Sequence, residues 1–248
     1  MQFMKKHKRL WITLAAILLS LALLITPCAI YLGNYYHADM EAVNAFLPLN
    51  TVEMETLEEG TVVFAPETAN TGIIFYPGGK VEHTAYIPLM KALASNGILC
   101  ILVEMPFRLA VFDINAADGF QERYPTVQSW YIGGHSLGGS MAAAYLATHT
   151  DAFDGLILLG AYSTKDLSDT QLKVLSIYGS EDRVLNLEKY AECKANLPLN
   201  CVEKIIDGGC HAYFGSYGTQ NGDGTPTISN QTQIEITAQA MTALMFSK

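Results

Sequence analysis

Trp130-Tyr131-Ile132-Gly133-Gly134-His135-Ser136-Leu137-Gly138-Gly139-Ser140-Met141-Ala142-Ala143-Ala144-Tyr145-Leu146 is the stretch that decides the fold. Trp130–Gly133 reads as a strand and Leu137–His149 as an alanine-rich helix, and the join between them fits G-x-S-x-G centred on Ser136. In a strand–turn–helix setting that pattern puts serine on a strained turn. The glycines two residues before and after it let the strand and helix approach without side-chain clash. The serine hydroxyl then stands at a helix N-terminus, where free N–H groups and the helix dipole favour developing negative charge. A phosphate-cradling loop is the competing reading, but neither G-x-x-x-x-G-K-S/T nor G-x-G-x-x-G spacing occurs here.

Outward from this stretch, apolar β-rich runs alternate with helical ones. Thr51–Leu57 and Thr61–Pro66 flank Glu58-Glu59-Gly60 as an antiparallel hairpin. There follow a strand at Gly72–Tyr76, a helix at Thr84–Asn96, a strand at Ile98–Glu104 and a helix around Phe112–Tyr124. After the central stretch come strands at Gly155–Leu159 and Val174–Tyr178, a helix at Leu187–Asn196, a strand at Val202–Ile206 and a closing helix at Gln231–Phe246. Runs such as Ile73-Ile74-Phe75-Tyr76 and Leu156-Ile157-Leu158-Leu159 are apolar without alternation, as strands buried on both faces must be. The order predicts an α/β domain: a mostly parallel, doubly wound sheet of about seven or eight strands with helices on both faces. The longest irregular piece is the glycine-rich His211–Ser229. Asp223 and Asn221 within it lack the ligand spacing of a calcium loop and read as a plain turn.

The N-terminus has a different character. Lys5, Lys6, Lys8 and Arg9 precede a run, Leu10–Tyr36, without a single charge. As a helix, Leu10–Leu32 would span roughly 34 Å, enough for a hydrocarbon core of about 30 Å. A cleaved signal peptide would have a shorter apolar core and a small-residue cleavage site, and neither Pro27-Cys28-Ala29 nor Ile25-Thr26-Pro27-Cys28 supplies one. The expected organisation is therefore a basic cytoplasmic tail at 1–9, a transmembrane signal anchor at 10–32, a linker at 33–50 with helical character from His37 to Asn50, and the α/β domain at 51–248. Trp11 and the Tyr31/Tyr35/Tyr36 group suit the two membrane interfaces, and the basic end predicts a single-pass cell-membrane protein whose domain lies outside the cytoplasm.

Beyond the four N-terminal cations, 11 basic residues face 24 acidic ones, a net charge of −13. That argues against nucleic acid or an anionic membrane surface as the domain's target. Of five cysteines, Cys28 lies in the apolar segment and Cys100 inside a buried-strand pattern, while Cys193 and Cys201 are close enough for a bridge in an oxidising compartment. No paired C-x-x-C or His-rich spacing suggests zinc, and no cofactor is expected.

A serine hydroxyl near pH 7 needs an adjacent base, usually histidine, oriented by a carboxylate. Of six histidines, His7 and His37 flank the apolar segment, His135 sits inside the turn and His149 ends the helix behind it. His211 follows the last strand, in Asp207-Gly208-Gly209-Cys210-His211, in the chain order serine, acid, histidine that accompanies a G-x-S-x-G turn of this kind. His83 is out of order and reads as a helix start. The acid falls in Gly179-Ser180-Glu181-Asp182 after strand Val174–Tyr178, with Asp182 chosen, Glu181 its nearest rival and Asp207 a weaker candidate. Two backbone N–H groups must hold the oxyanion. Leu137 supplies one by position, and Gly79, in Tyr76-Pro77-Gly78-Gly79-Lys80, supplies the other.

Together with Gly209-Cys210-His211-Ala212-Tyr213-Phe214, these motifs resemble the α/β-hydrolase superfamily over about residues 60–246, in particular its compact bacterial esterases and dienelactone-hydrolase-like members. The resemblance implies a Ser136–Asp182–His211 triad, oxyanion donors at Gly79 and Leu137, no metal, and a small-molecule acyl substrate, with ester favoured over amide. Serine stands where dienelactone hydrolases carry cysteine, so their substrate does not transfer. Only Ala161–Lys173 separates the sixth and seventh strands, too short for the helical lid of many relatives, which predicts an open site roofed at most by His211–Ser229. A catalytically silent binding module and an acyltransferase using the same residues are the alternatives.

Overall fold

A computed structural model describes residues 2–45 and 52–247, so Thr51, Met1 and the 46–50 end of the expected linker helix lie outside the described residues. The chain separates into two compact units, one ending at Tyr35 and one beginning at Tyr36. The first is a single helix, α1 (Gln2–Gly33). Its Trp11–Gly33 portion, 23 residues with mean hydropathy 2.3 and none of them buried, is long and apolar enough to cross a membrane.

The second unit begins with α2 (Met40–Ala45), β1 (Val52–Thr56), β2 (Val62–Pro66), β3 (Thr71–Tyr76), α3 (Ile87–Ala94), β4 (Ile98–Leu102), α4 (Phe120–Arg123) and β5 (Ser129–His135). It continues with α5 (Leu137–Leu146), β6 (Gly155–Leu159), β7 (Lys173–Gly179), α6 (Leu187–Cys193), β8 (Val202–Ile206) and α7 (Asn230–Met245). Eight strands form one sheet in the order β1-β2-β4-β3-β5-β6-β7-β8. The β1–β2 hairpin and the β2–β4 pair are antiparallel and every other pairing is parallel. Polar caps open two of the helices: Asn186 accepts from the Lys189 N–H at α6, and Ser229 from the Thr232 N–H at α7.

Burial of β3 on both faces explains its unbroken apolar run. Ile73 and Phe75 pack on one side with Leu89, Met90 and Leu93 of α3 and Ile234 and Met241 of α7. Ile74 and Tyr76 pack on the other with Ala142, Ala143 and Leu146 of α5. Each such large side chain contributes roughly 1.5–3 kcal/mol on burial, which makes the parallel centre a main source of the domain's stability.

One expected element does not form. Instead of a helix over Phe112–Tyr124 there are two short 3₁₀ turns, Pro106–Arg108 and Ala110–Phe112, and the four-residue α4. The reason is tertiary. The buried Tyr76 hydroxyl donates to the Ile114 carbonyl at 2.7 Å and accepts from the Ala117 N–H at 3.0 Å, taking backbone groups that a helix would pair internally. Gly119, at φ +82°, then resets the chain before α4.

The parallel register brings the C-terminal ends of β3, β5, β6, β7 and β8 to one edge of the sheet. Pro77–Lys80, Ser136, Gly160, Asp182 and His211 all follow strand ends on that edge, the usual location of sites in parallel sheets.

Candidate active site

Ser136 sits between β5 and α5 at φ +52°, ψ −122°, a sparsely populated conformation for any residue with a Cβ. Such a conformation costs about 1–3 kcal/mol and persists only where its surroundings over-determine it. Here they do. The Ser136 N–H donates to the Leu159 carbonyl of β6 at 2.9 Å, and the Ser136 carbonyl accepts the Ser140 N–H at 3.1 Å. A Cβ at Gly134 would lie 2.4 Å from the Tyr76 carbonyl oxygen, and one at Gly138 2.2 Å from that of Pro77, so the strand and helix can meet this closely only with glycine at both.

The loops after β7 and β8 bring Asp182 to His211. His211 Nδ1 and Asp182 Oδ2 are 2.8 Å apart, and both residues are buried, at 1% and 2% exposure. Asp182 Oδ1 accepts the N–H groups of Val184 at 2.9 Å and Leu185 at 2.8 Å, so the buried carboxylate is fully satisfied. With Nδ1 donating to the carboxylate, Nε2 is the ring's free acceptor. Nε2 is buried without a hydrogen-bond partner among the described residues, so the Ser136 hydroxyl does not yet engage it. Ser136 and His211 nevertheless line one cavity of about 250 Å³, together with Leu137, Ser140, Tyr162 and Leu185.

The rival carboxylates are placed elsewhere. Glu181 reaches the Arg183 guanidinium at 3.4 Å, and Asp207 is exposed. Among the other histidines, His149 stacks on Tyr145 with ring centroids 4.0 Å apart. His83 opens the 3₁₀ turn before α3, where burial pushes its pKa below the ordinary histidine value.

Gly79 and Leu137 lie side by side: a Cβ on Gly79 would come within 2.9 Å of Leu137 Cδ2. The backbone N–H groups of both residues have no hydrogen-bond partner among the described residues. Two unengaged donors on the loops flanking Ser136 are of the kind an oxyanion site requires.

A sequence profile of the alpha/beta hydrolase family matches residues 72–235, from the start of the parallel strands into the last helix. The chain belongs to the α/β-hydrolase family. Three solved structures share the fold at low identity. A protein of Thermus thermophilus is 13% identical over 79% of this chain and 99% of its own, with a TM-score of 0.58. A dienelactone hydrolase of Anabaena variabilis is 14% identical over 79% and 97%, also with a TM-score of 0.58. A CIB-like hydrolase of Thermoplasma acidophilum is 15% identical over 77% and 98%, with a TM-score of 0.51. No functionally curated protein matches the chain by sequence.

Two residues that hold the Asp182 and His211 loops of this α/β hydrolase in place carry no sequence signal. Asp223 accepts the Ala212 N–H at 2.8 Å on one oxygen and the Arg183 N–H at 3.3 Å on the other, tying together the residues that follow His211 and Asp182. It is therefore more than a plain turn residue. Gln233, fully buried in α7, accepts the Cys210 N–H at 3.0 Å and donates to the Cys210 carbonyl at 2.7 Å, clamping the residue before His211.

The loop expected as a roof has another role. None of its residues beyond His211 lines the Ser136 cavity, and Phe214, Ser216 and Tyr217 are buried in the protein interior. Ala161–Lys173 holds no helix, and Leu167 within it is buried. Cys193 and Cys201 are unbridged, as are Cys28, Cys100 and Cys210. Among the described residues no cluster of three His, Cys, Asp or Glu side chains is placed to hold a metal.

Proposed function

We propose that this α/β hydrolase is a serine hydrolase cleaving carboxylic esters of small molecules, held at the cell membrane by α1 with the catalytic domain outside the cytoplasm. The buried Asp182–His211 pair, whose histidine lines the same cavity as the strained Ser136, carries this reading. His211 Nε2 takes the Ser136 proton as the oxygen attacks the ester carbonyl. Asp182 holds the ring's orientation and stabilises the imidazolium that forms. The N–H groups of Gly79 and Leu137 receive the oxyanion, and collapse of the intermediate expels the alcohol, protonated by His211. Water then repeats the sequence on the acyl-enzyme and releases the acid.

Several features support a small and accessible substrate. The cavity is modest, and no helix lies between β6 and β7 to act as a lid. The basic N-terminal end and the length of α1 support the anchor and its orientation. The net negative charge of the domain supports neither nucleic acid nor an anionic surface as a target.

The test is a panel of p-nitrophenyl esters of graded acyl length, offered to the detergent-solubilised full chain and to Ser136→Ala. Turnover of at least one ester, reduced by roughly 10³-fold or more in the variant at unchanged melting temperature, is expected. An inactive wild type, or an equally active variant, removes the reading.

A further inference from the structure

The oxyanion loop is braced from beneath by two buried side chains. Gly78 donates its N–H to the Tyr86 hydroxyl at 3.0 Å, and the same hydroxyl lies 2.8 Å from His135 Nδ1. Tyr86 is fully buried at the end of the 3₁₀ turn that precedes α3, and His135 is buried immediately before Ser136. With the phenol oxygen accepting from Gly78 and its own proton directed to Nδ1, His135 is the neutral tautomer carrying its proton on Nε2, an atom without a hydrogen-bond partner among the described residues. Burial pushes the His135 pKa well below the ordinary histidine value, and the neighbouring His211 acts in the same direction.

Three functional elements meet on this pair. A Cβ on Gly78 would fall 2.7 Å from both His135 Nδ1 and the Tyr86 oxygen, so the loop can rest on them only with glycine there. The His135 ring packs 4.5 Å from the His211 ring and 5.5 Å from Phe214, centroid to centroid. Because the Gly78 amide is engaged by Tyr86, the next amide of the loop, that of Gly79, is the one left without a hydrogen-bond partner among the described residues.

We propose that Tyr86 and His135 are positioning residues of the oxyanion site, forming a strut from the residue before the nucleophile to the Gly78 amide that sets where the Gly79 N–H points. The inference rests on the serine-hydrolase reading above. In the resting protein the strut costs no reorganisation, and its effect appears where the carbonyl oxygen gains charge.

Tyr86→Phe keeps the ring and removes the hydroxyl. With the full chain and the oxo and thiono forms of one p-nitrophenyl ester, kcat on the oxo ester is expected to fall about 10- to 100-fold, below the loss from deleting an oxyanion donor outright. KM should stay within about threefold, since ground-state binding is not touched. The thiono ester, whose sulfur accepts hydrogen bonds weakly, should lose much less, so the oxo-to-thiono ratio drops. His135→Phe should match Tyr86→Phe, and His135→Asn, which returns an acceptor near the Nδ1 position, should recover most of that loss.

An unchanged kcat in Tyr86→Phe, or equal losses on both esters, overturns the strut. If Tyr86→Phe does not fold by thermal melting, the His135 pair decides: equal activity of the Asn and Phe variants overturns it. A wild type that turns over neither ester overturns the serine-hydrolase reading and the strut with it, whereas an active wild type beside an unaffected Tyr86→Phe overturns the strut alone.

Discussion

Ser136 is held chiefly by the backbone around it. Gly134 and Gly138 permit the close crossing of strand and helix, and hydrogen bonds to Leu159 and Ser140 complete the turn. Asp182 and His211 lie 29 residues apart, on different loops, and owe their meeting to polar side chains from further along the chain. Asp223 spans both loops, and Gln233 grips Cys210 from α7. The Ser136 turn is therefore a local device of glycine and backbone strain, and the Asp182–His211 pair a tertiary one of buried hydrogen bonds. The first should tolerate distant change, and the second should not.

The largest expected effect lies on the tertiary side. Asp182→Asn keeps the shape of the side chain but offers an amide where His211 Nδ1 needs a carboxylate. Steady-state kinetics should show kcat falling by roughly 10³- to 10⁴-fold. A loss below tenfold would mean that the pair does not orient the base.

Next in size, Gln233→Leu leaves the buried N–H and carbonyl of Cys210 without partners. At about 1–3 kcal/mol for each of the two unsatisfied groups, it should lower stability by roughly 2–6 kcal/mol in denaturant melts. Activity should fall with it as the His211 loop loosens. Asp223→Asn should act in the same direction with a smaller effect, because Asp223 is half-buried and an amide can still accept one of its bonds. If either variant loosens the Ser136 turn as much as the His211 loop, measured by hydrogen exchange, the distinction between local and tertiary construction fails.

The smallest effect concerns pH. His135 has a folded pKa depressed by burial, so the unfolded chain takes up its proton first as pH falls. The stability contributed by its neutral state is fully present above the ordinary histidine pKa and is lost as pH falls below about 6.5. One such group contributes a slope of at most about 1.4 kcal/mol per pH unit. The stability difference between wild type and His135→Asn should shift by that order between neutral pH and pH 5, and a pH-independent difference would contradict a buried neutral imidazole.

The same contrast decides what the sequence could reveal. The boundaries of β6 and β8 coincide with those expected from the sequence, and the G-x-S-x-G turn is legible because its determinants are contiguous. The segment from Phe112 to Tyr124 was misleading because Tyr76, about forty positions away in sequence, takes its backbone groups. Asp182 could not be separated from Glu181 by spacing, since both follow β7, and only the packed loop turns one towards His211 and the other towards Arg183. Asp223, Gln233 and Tyr86 carry no local signal at all. A glycine-rich loop, a helix interior and an aromatic in a turn acquire their parts in the site only once the chain has folded.

Activation of Ser136 as a nucleophile by His211 is open to covalent capture. The detergent-solubilised full chain, treated with a fluorophosphonate and measured by intact mass and peptide mapping, should gain one phosphonyl group per chain on the peptide containing Ser136. Labelling should be lost in Ser136→Ala and slowed strongly in His211→Ala. An unlabelled wild type, or an adduct on any other residue, would contradict it.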